Sequence, residues 1–315
     1  LAMLGSRESS GPEESSEDKG WPMVAGGSGL RNSRPSFGTS ATAAPTRMIG
    51  WQEGYESTPA SDGEALYFVR SEEASVLARI DPSDGTEAWN TELNIPETRS
   101  VPPAIHDGTA FVPSFGGIAA VETDSGEVAW STDEVVAASA PPTVADGSLY
   151  VVYGTEVRNP VGVAALSTDD GSVEWTAPGE FRGPAAVGDG MLVVRAHENG
   201  TAALDTETGE VLWESSEHEF DTPLSVADRY AVGVSGGGTV ARLDIETGET
   251  RWTRGVDAEY EPGIAIAGEE VFIHHDDGIT GYALEDATVT TEVEYLGAAG
   301  PLVVADDGFL IGTWD

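Results

Sequence analysis

Ala203-Leu204-Asp205-Thr206-Glu207-Thr208-Gly209-Glu210-Val211-Leu212-Trp213 recurs in altered form along most of the chain. The other copies run Arg79-Ile80-Asp81-Pro82-Ser83-Asp84-Gly85 to Trp89, Ala120-Val121-Glu122-Thr123-Asp124-Ser125-Gly126 to Trp130, Ala165-Leu166-Ser167-Thr168-Asp169-Asp170-Gly171 to Trp175, and Arg242-Leu243-Asp244-Ile245-Glu246-Thr247-Gly248 to Trp252. In each, the Trp follows the Gly by four residues. Successive tryptophans stand 41, 45, 38 and 39 residues apart, and Trp51 lies a further 38 upstream of Trp89. This is the period of a four-stranded propeller blade, so the sequence predicts an all-β chain, a β-propeller of four-stranded antiparallel blades.

The chemistry of the motif supports strand, turn, strand. An apolar residue is followed by Asp, Ser or Glu, whose side-chain oxygen bonds turn N–H groups, and then by a Gly that takes the left-handed conformation. Gly85, Gly126, Gly171, Gly209 and Gly248 are therefore structural turn residues. Trp51, Trp89, Trp130, Trp175, Trp213 and Trp252 fall on outgoing strands. A ring of that size buries about 150–250 Å², enough to act as a wedge between neighbouring blades.

The pattern Ala-Leu-Asp-x-x-Thr-Gly-x-x-x-Trp resembles the repeat of the pyrroloquinoline-quinone-like (PQQ-like) β-propellers. That family includes the quinoprotein dehydrogenases and the propeller lipoprotein of the bacterial outer-membrane assembly machine. The resemblance spans residues 46–315 and is closest at Ala203 to Trp213. Arg79 and Arg242 replace the small Ala that packs on the tryptophan ring in such repeats, and looser docking is expected in those two units.

Pro-containing starts followed by an alternating strand and a turn occur at Pro59, Pro102-Pro103, Pro141-Pro142, Pro184, Pro223, Pro262 and Pro301. They set seven units. The sixth has a decayed repeat, in which Glu285-Asp286-Ala287 lacks the Gly and Val293 stands in the place of Trp. The seventh reaches only two strands, and Met48 to Trp51 reads as the outer strand that closes it. Seven blades follow, or eight if the chain is truncated. Residues 46–315 form this single propeller, residues 21–45 an irregular lead-in packed on one face, and residues 1–20 a disordered acidic stalk or export remnant.

Charge narrows the function classes. The net charge is −40, from 55 acidic and 15 basic residues, and Lys19 is the sole lysine. Such an acidic, arginine-over-lysine surface resembles that of a protein from a salt-saturated environment, a haloarchaeon, where a Debye length of about 3 Å at 1 M salt masks self-repulsion. Nucleic acids and anionic lipid surfaces are excluded as charge-driven partners, since both need clustered Lys and Arg. No run approaches the roughly 20 apolar residues of a membrane span. The absence of cysteine excludes disulfides, thiolate metal sites and thiol nucleophiles.

Several constellations invite chemistry and are weighed against plainer readings. Gly233-Val234-Ser235-Gly236-Gly237 fits a nucleophile elbow, but it lies between two strands rather than before a helix, and reads as a hairpin. His274 and His275 point to opposite faces of a strand, which separates them as metal ligands. The Asp/Thr/Gly turns lack the calcium-loop spacing, and Asn199-Gly200-Thr201 is a sequon only in an exported chain. Residues before the inner strands converge on the axial funnel. Arg99 and Arg182 are candidates there to hold a carboxylate, and Phe181, Phe220 and Tyr260 to line a sugar or peptide. The expected function is a non-enzymatic binding or assembly scaffold, exported or at the cell surface, monomeric, with a protein partner or small ligand at the funnel. The resemblance also implies an alternative, a dehydrogenase using pyrroloquinoline quinone and Ca²⁺, although the vicinal cysteines of many such enzymes are missing.

Overall fold

A computed structural model describes residues 2–4, 33–34, 60–71, 75–95, 101–136, 140–155, 158–196, 200–227, 229–235, 238–256, 263–275, 277–294, 302–305 and 308–311. Among them every regular element is a strand, and the strands form four-stranded sheets. Blade 1 comprises Ala60–Ser61, Leu66–Ser71, Ser75–Ile80 and Glu87–Leu93; blade 2, Ala104–His106, Thr109–Ser114, Gly117–Glu122 and Val128–Thr132. Blade 3 comprises Thr143–Ala145, Ser148–Thr155, Arg158–Ser167 and Val173–Pro178; blade 4, Phe181–Gly188, Met191–Ala196, Gly200–Asp205 and Val211–Ser215. Blade 5 is built from Ser225–Ala227, Tyr230–Ser235, Thr239–Asp244 and Thr250–Gly255; blade 6, from Gly263–Ala267, Glu270–His275, Gly278–Ala283 and Val289–Glu294. All six are antiparallel meanders in sequence order.

First strands of successive blades touch one another from Ala60–Ser61 round to Leu302–Ala305, which places them at the axis. The outermost strands alternate exposed and half-buried residues, as in Val211–Ser215, while the third strands, such as Gly200–Asp205, are almost wholly buried. The chain is therefore a β-propeller. Its core is a series of inter-blade layers; one joins Ala186, Val193 and Ala203 of blade 4 to Leu224, Val226, Ala231 and Leu243 of blade 5.

The tryptophans lock blades 1 to 5 each onto the next. Trp175 donates its indole N–H to the Thr206 carbonyl at 2.9 Å, and Trp213 donates to Ile245 O at 2.8 Å. The ring lies over the turn glycine of the blade it caps: a Cβ on Gly209 would stand 2.5 Å from Trp175 Cε3, and Gly209 also holds φ +71°. Gly is needed there twice over, for its backbone and for its missing side chain. Trp89 and Trp252, opposite the arginines, donate equally to Thr123 O at 3.0 Å and Leu284 O at 2.9 Å. The expected loosening does not show in these indole bonds; Arg79 turns to the Tyr67 hydroxyl and Arg242 to the Tyr230 ring.

Blade 6 corrects the reading of its repeat. Gly281 pairs with Thr291, as Ala203 pairs with Trp213, and both ladders shift register at the next residue pair. Thr291, not Val293, occupies the tryptophan position. Ala287 takes the turn at φ 57° in place of Gly, so turn and bulge hold the register without the residues that mark it elsewhere.

The hairpin Leu302–Ala305 and Gly308–Ile311 belongs to a seventh sheet. Its recorded neighbours are Ala2–Leu4, antiparallel to Gly308–Ile311, and Ser33–Arg34, parallel to Leu302–Ala305. Met48 to Trp51, expected to close this sheet, lies outside the described residues.

Candidate functional site

Antiparallel meandering gives the propeller two unlike faces. Turns between first and second strands share one face with those between third and fourth strands, the Asp-x-x-Thr-Gly turns. Hydrogen bonds join them: Thr206 N–H and Oγ1–H both donate to Gly190 O, at 3.1 and 2.9 Å. Within the turn, Asp205 Oδ1 accepts from Glu207 N at 3.0 Å, Thr208 N at 2.8 Å and Thr208 Oγ1 at 2.9 Å. The Thr208 hydroxyl bond, with the backbone bonds behind it, holds the Asp205 carboxyl below its ordinary pKa.

The opposite, funnel face carries the connections into each first strand. Phe181 and Arg182 open the first strand of blade 4 there. Arg182 is exposed, and Phe181 is half-buried against the layer that contains Ala177, Ala185 and Val194. Arg182 pairs in register with Arg195, so two guanidinium groups stem from one point of the ladder. Arg195 crosses to the next blade and donates Nη1–H to Phe220 O at 3.0 Å and Asp221 O at 2.8 Å. Gly183 clears its path: φ is +70°, and a Cβ there would meet Arg195 Nη2 at 2.8 Å. Arg195 escaped the sequence reading because it sits inside a strand; the adjoining Arg182-Gly183 step was the available signal.

Phe220, expected to line the funnel, is only 4% exposed. It packs on Leu224 and on Gly233, whose lack of a side chain admits the ring, and tilts against His218 at 5.6 Å between ring centroids. Arg99 and Tyr260 lie outside the described residues. The structure thus brings Phe181 and Arg182 together, adds Arg195 and places Phe220 in the core. A cleft of about 310 Å³ opens on the same face between blades 1 and 2, lined by Asn94, Ile95, Gly116, Ser131, Thr132 and Asp133.

The other constellations resolve into local structure. His274 is buried, while His275 bonds Thr280 Oγ1 through Nε2 at 2.8 Å on the other face of the strand. Ser235 ends a strand and donates to Thr239 O at 3.2 Å across a hairpin, not before a helix. Blade 6 keeps Gly200's counterpart, Gly278, in its hairpin between second and third strands.

Among the described residues, the first strands that meet at the axis offer no ligand set for a calcium-held quinone. The described first strands read Ala-Ser, Ala-Ile-His, Thr-Val-Ala, Phe-Arg-Gly-Pro-Ala-Ala-Val-Gly, Ser-Val-Ala and Gly-Ile-Ala-Ile-Ala. None of these strands carries a carboxylate or amide side chain of the kind a hard cation requires.

The family model described as outer membrane protein assembly factor BamB matches residues 72–180, 157–233 and 198–308. No curated protein matches the chain in sequence. Among solved structures, BamB from Moraxella catarrhalis aligns at TM-score 0.61 and 20% identity, over 80% of this chain and 77% of that one. A europium-containing methanol dehydrogenase aligns at TM-score 0.70 and 10% identity, over 92% and 81%. Quinohemoprotein alcohol dehydrogenase ADHIIG from Pseudomonas putida HK5 aligns at TM-score 0.67 and 12% identity, over 92% and 68%. At these identities the solved structures share the fold.

Proposed function

Because the chain belongs to the family of the outer membrane protein assembly factor BamB, we propose that it is a non-enzymatic binding or assembly scaffold, exported or held at the cell surface, that engages a protein partner on its funnel face. The observation that carries this reading is the pairing of the family match with the Phe181, Arg182 and Arg195 corner. In a chain of net charge −40, an exposed arginine beside a half-buried aromatic ring is the combination enriched where proteins dock. We further propose that the acidic surface is suited to molar salt and that the propeller acts as a monomer. The quinone-dependent alternative draws on fold likeness alone, and fold does not fix function.

Two measurements test the reading. Cross-linking in the envelope fraction of the source cell, followed by mass spectrometry, is expected to recover a discrete partner with the wild type and to lose it with Arg182→Glu. Titration with pyrroloquinoline quinone and Ca²⁺ in molar salt, followed by quinone absorbance and dye reduction with alcohols, is expected to show no stoichiometric binding. Saturable quinone binding with turnover would replace the scaffold by a dehydrogenase.

A further inference from the structure

Blade 5 concentrates positive charge in an otherwise acidic chain. Of fourteen arginines, Arg229, Arg242, Arg251 and Arg254 fall in this one blade and its turns. Three of them converge beside the turn face at the seam with blade 6. Arg242 rises from the third strand, is 7% exposed, and lies with its guanidinium carbon 3.7 Å from the centre of the Tyr230 ring. Its Nη1 donates to the Glu285 carbonyl of blade 6 at 3.4 Å, while its Nε has no hydrogen-bond partner among the described residues. Tyr230 follows Arg229 in the chain and pairs in register with Asp244. Asp244 accepts from Arg251 Nη2 at 3.0 Å, which brings the third guanidinium to the same place, and Arg251 Nη1 pairs with the exposed Glu249 at 3.2 Å. Arg229 is exposed, and the Arg251 side chain is 43% exposed, so both form a wet rim around the buried Arg242.

From this geometry we infer that Arg242, Arg229 and Arg251, with the Tyr230 ring as one wall, form a binding site for a small oxyanion, a carboxylate or a phosphate group, at the seam of blades 5 and 6. A buried guanidinium is expensive unless its charge and its donors are met. Among the described residues Arg242 has carbonyl and ring contacts but no ion pair, and the nearby Asp244 is already engaged by Arg251 and by its own turn. Burial holds Arg242 below its ordinary pKa; Tyr230 and Asp244 oppose this, and Arg251 and Arg229 add to it. An anion at the rim would offset both the cost of burial and the repulsion from Arg251 and Arg229. The planar fork suits bidentate oxyanions, and the flat ring wall orders it.

The test is isothermal titration calorimetry with inorganic phosphate and with succinate, at constant ionic strength in potassium chloride, on wild type, Arg242→Ala, Arg229→Gly and Arg79→Ala. Alanine is the residue that blades 2, 3 and 4 carry at the Arg242 position, so the variant keeps a packing the fold already uses. Saturable one-to-one binding is expected in the wild type and in Arg79→Ala, at least tenfold weaker in Arg242→Ala and Arg229→Gly. Heat from phosphate alone or succinate alone names the source of the oxyanion. Lack of saturable binding of either anion by the wild type, or equal binding by Arg242→Ala, would overturn the site.

Discussion

Blades 1 and 5 make the same departure from the repeat and resolve it in opposite ways. Each puts an arginine opposite its tryptophan, where blades 2, 3 and 4 have alanine. In blade 1 the tyrosine is the cross-strand partner of the arginine, so Arg79 Nε donates end-on to Tyr67 Oη at 3.2 Å, and that hydroxyl donates to Asp62 Oδ2 at 2.6 Å. Asp62 is held in turn by the N–H groups of Glu64 and Ala65. Positive charge, hydroxyl and carboxylate close into a chain within one blade. In blade 5 the cross-strand partner is Val232, and the tyrosine stands two residues earlier, so Arg242 meets a ring face and reaches across the seam to a carbonyl. A shift of two residues, one step along the same side of a strand, separates a satisfied internal network from a buried guanidinium whose Nε has no partner among the described residues.

The largest effect should come from removing the wedge itself. If arginine blades dock as firmly as alanine blades, Trp89→Ala, Trp213→Ala and Trp252→Ala will each cost about 3 kcal/mol, the range for truncating a large packed ring. Denaturant melts of the three variants check this. A loss at Trp89 or Trp252 that was half that at Trp213 would show that the arginines loosen the lock despite the shared indole bonds.

A somewhat smaller loss is expected at the turn glycines. Gly209→Ala brings a methyl group within 2.5 Å of the Trp175 ring at φ +71°, and the expected cost is about 2 kcal/mol, from strain and displaced packing together. Ala287→Gly, in the one described turn between third and fourth strands that does without glycine, should stabilise by about 0.5 kcal/mol through relief of the positive φ of 57°. Thermal melts that moved both variants in the same direction would break the contrast.

These positions also mark how much was legible in the sequence. The Gly-to-Trp spacing is rigid because the indole must reach the next turn's glycine and carbonyl, so five copies in register identify the propeller. Blade 6 lost both markers, and its register rests on the bulge and on Ala287, neither of which has a sequence signature; the tryptophan position is Thr291, four residues after Ala287, rather than Val293. At the funnel, Arg182 was readable as a scarce cation just inside a strand start. Phe220 was not readable as core, because its burial depends on the absent side chain of Gly233, thirteen residues away. Arg242 read as a packing defect, since its environment is assembled from Tyr230, Asp244, Arg251 and the next blade.

The comparison of the two arginine blades sharpens at their tyrosines. Tyr67→Phe leaves Arg79 Nε and Asp62 Oδ2 without the hydroxyl that joins them, and about 1–2 kcal/mol should be lost. Tyr230→Phe keeps the ring that Arg242 lies against, and its effect should stay within about 0.5 kcal/mol. Denaturant melts giving equal losses would mean that the Tyr230 hydroxyl matters in a way its geometry does not show.

The smallest individual effects belong to the turn carboxylates, and their sum appears as acid sensitivity. Asp81, Asp170, Asp205 and Asp286 are held below their ordinary pKa first by the neighbouring Ser or Thr hydroxyl; Asp244 is also lowered, with the Arg251 bond and charge outweighing the burial that opposes them. A carboxyl with a depressed folded pKa binds fewer protons folded than unfolded. Its contribution is therefore complete above the unfolded value of 3.8 and is lost as pH falls through the lower folded value. Thermal melts at fixed salt should show stability falling below about pH 4 from this cause. Salt separates the members of the set: four are held by hydrogen bonds at exposed turns, whereas Asp244 depends partly on an ion pair. Replacing Asp205 with Asn should flatten the acid limb by the same amount in 0.5 M and 3 M salt, while Asp244→Asn should flatten it less at the higher concentration, where screening weakens the Arg251 pair. If both variants respond alike to salt, the Arg251 to Asp244 bridge contributes nothing measurable, and Arg251 is held at the blade 5 seam by its pair with Glu249.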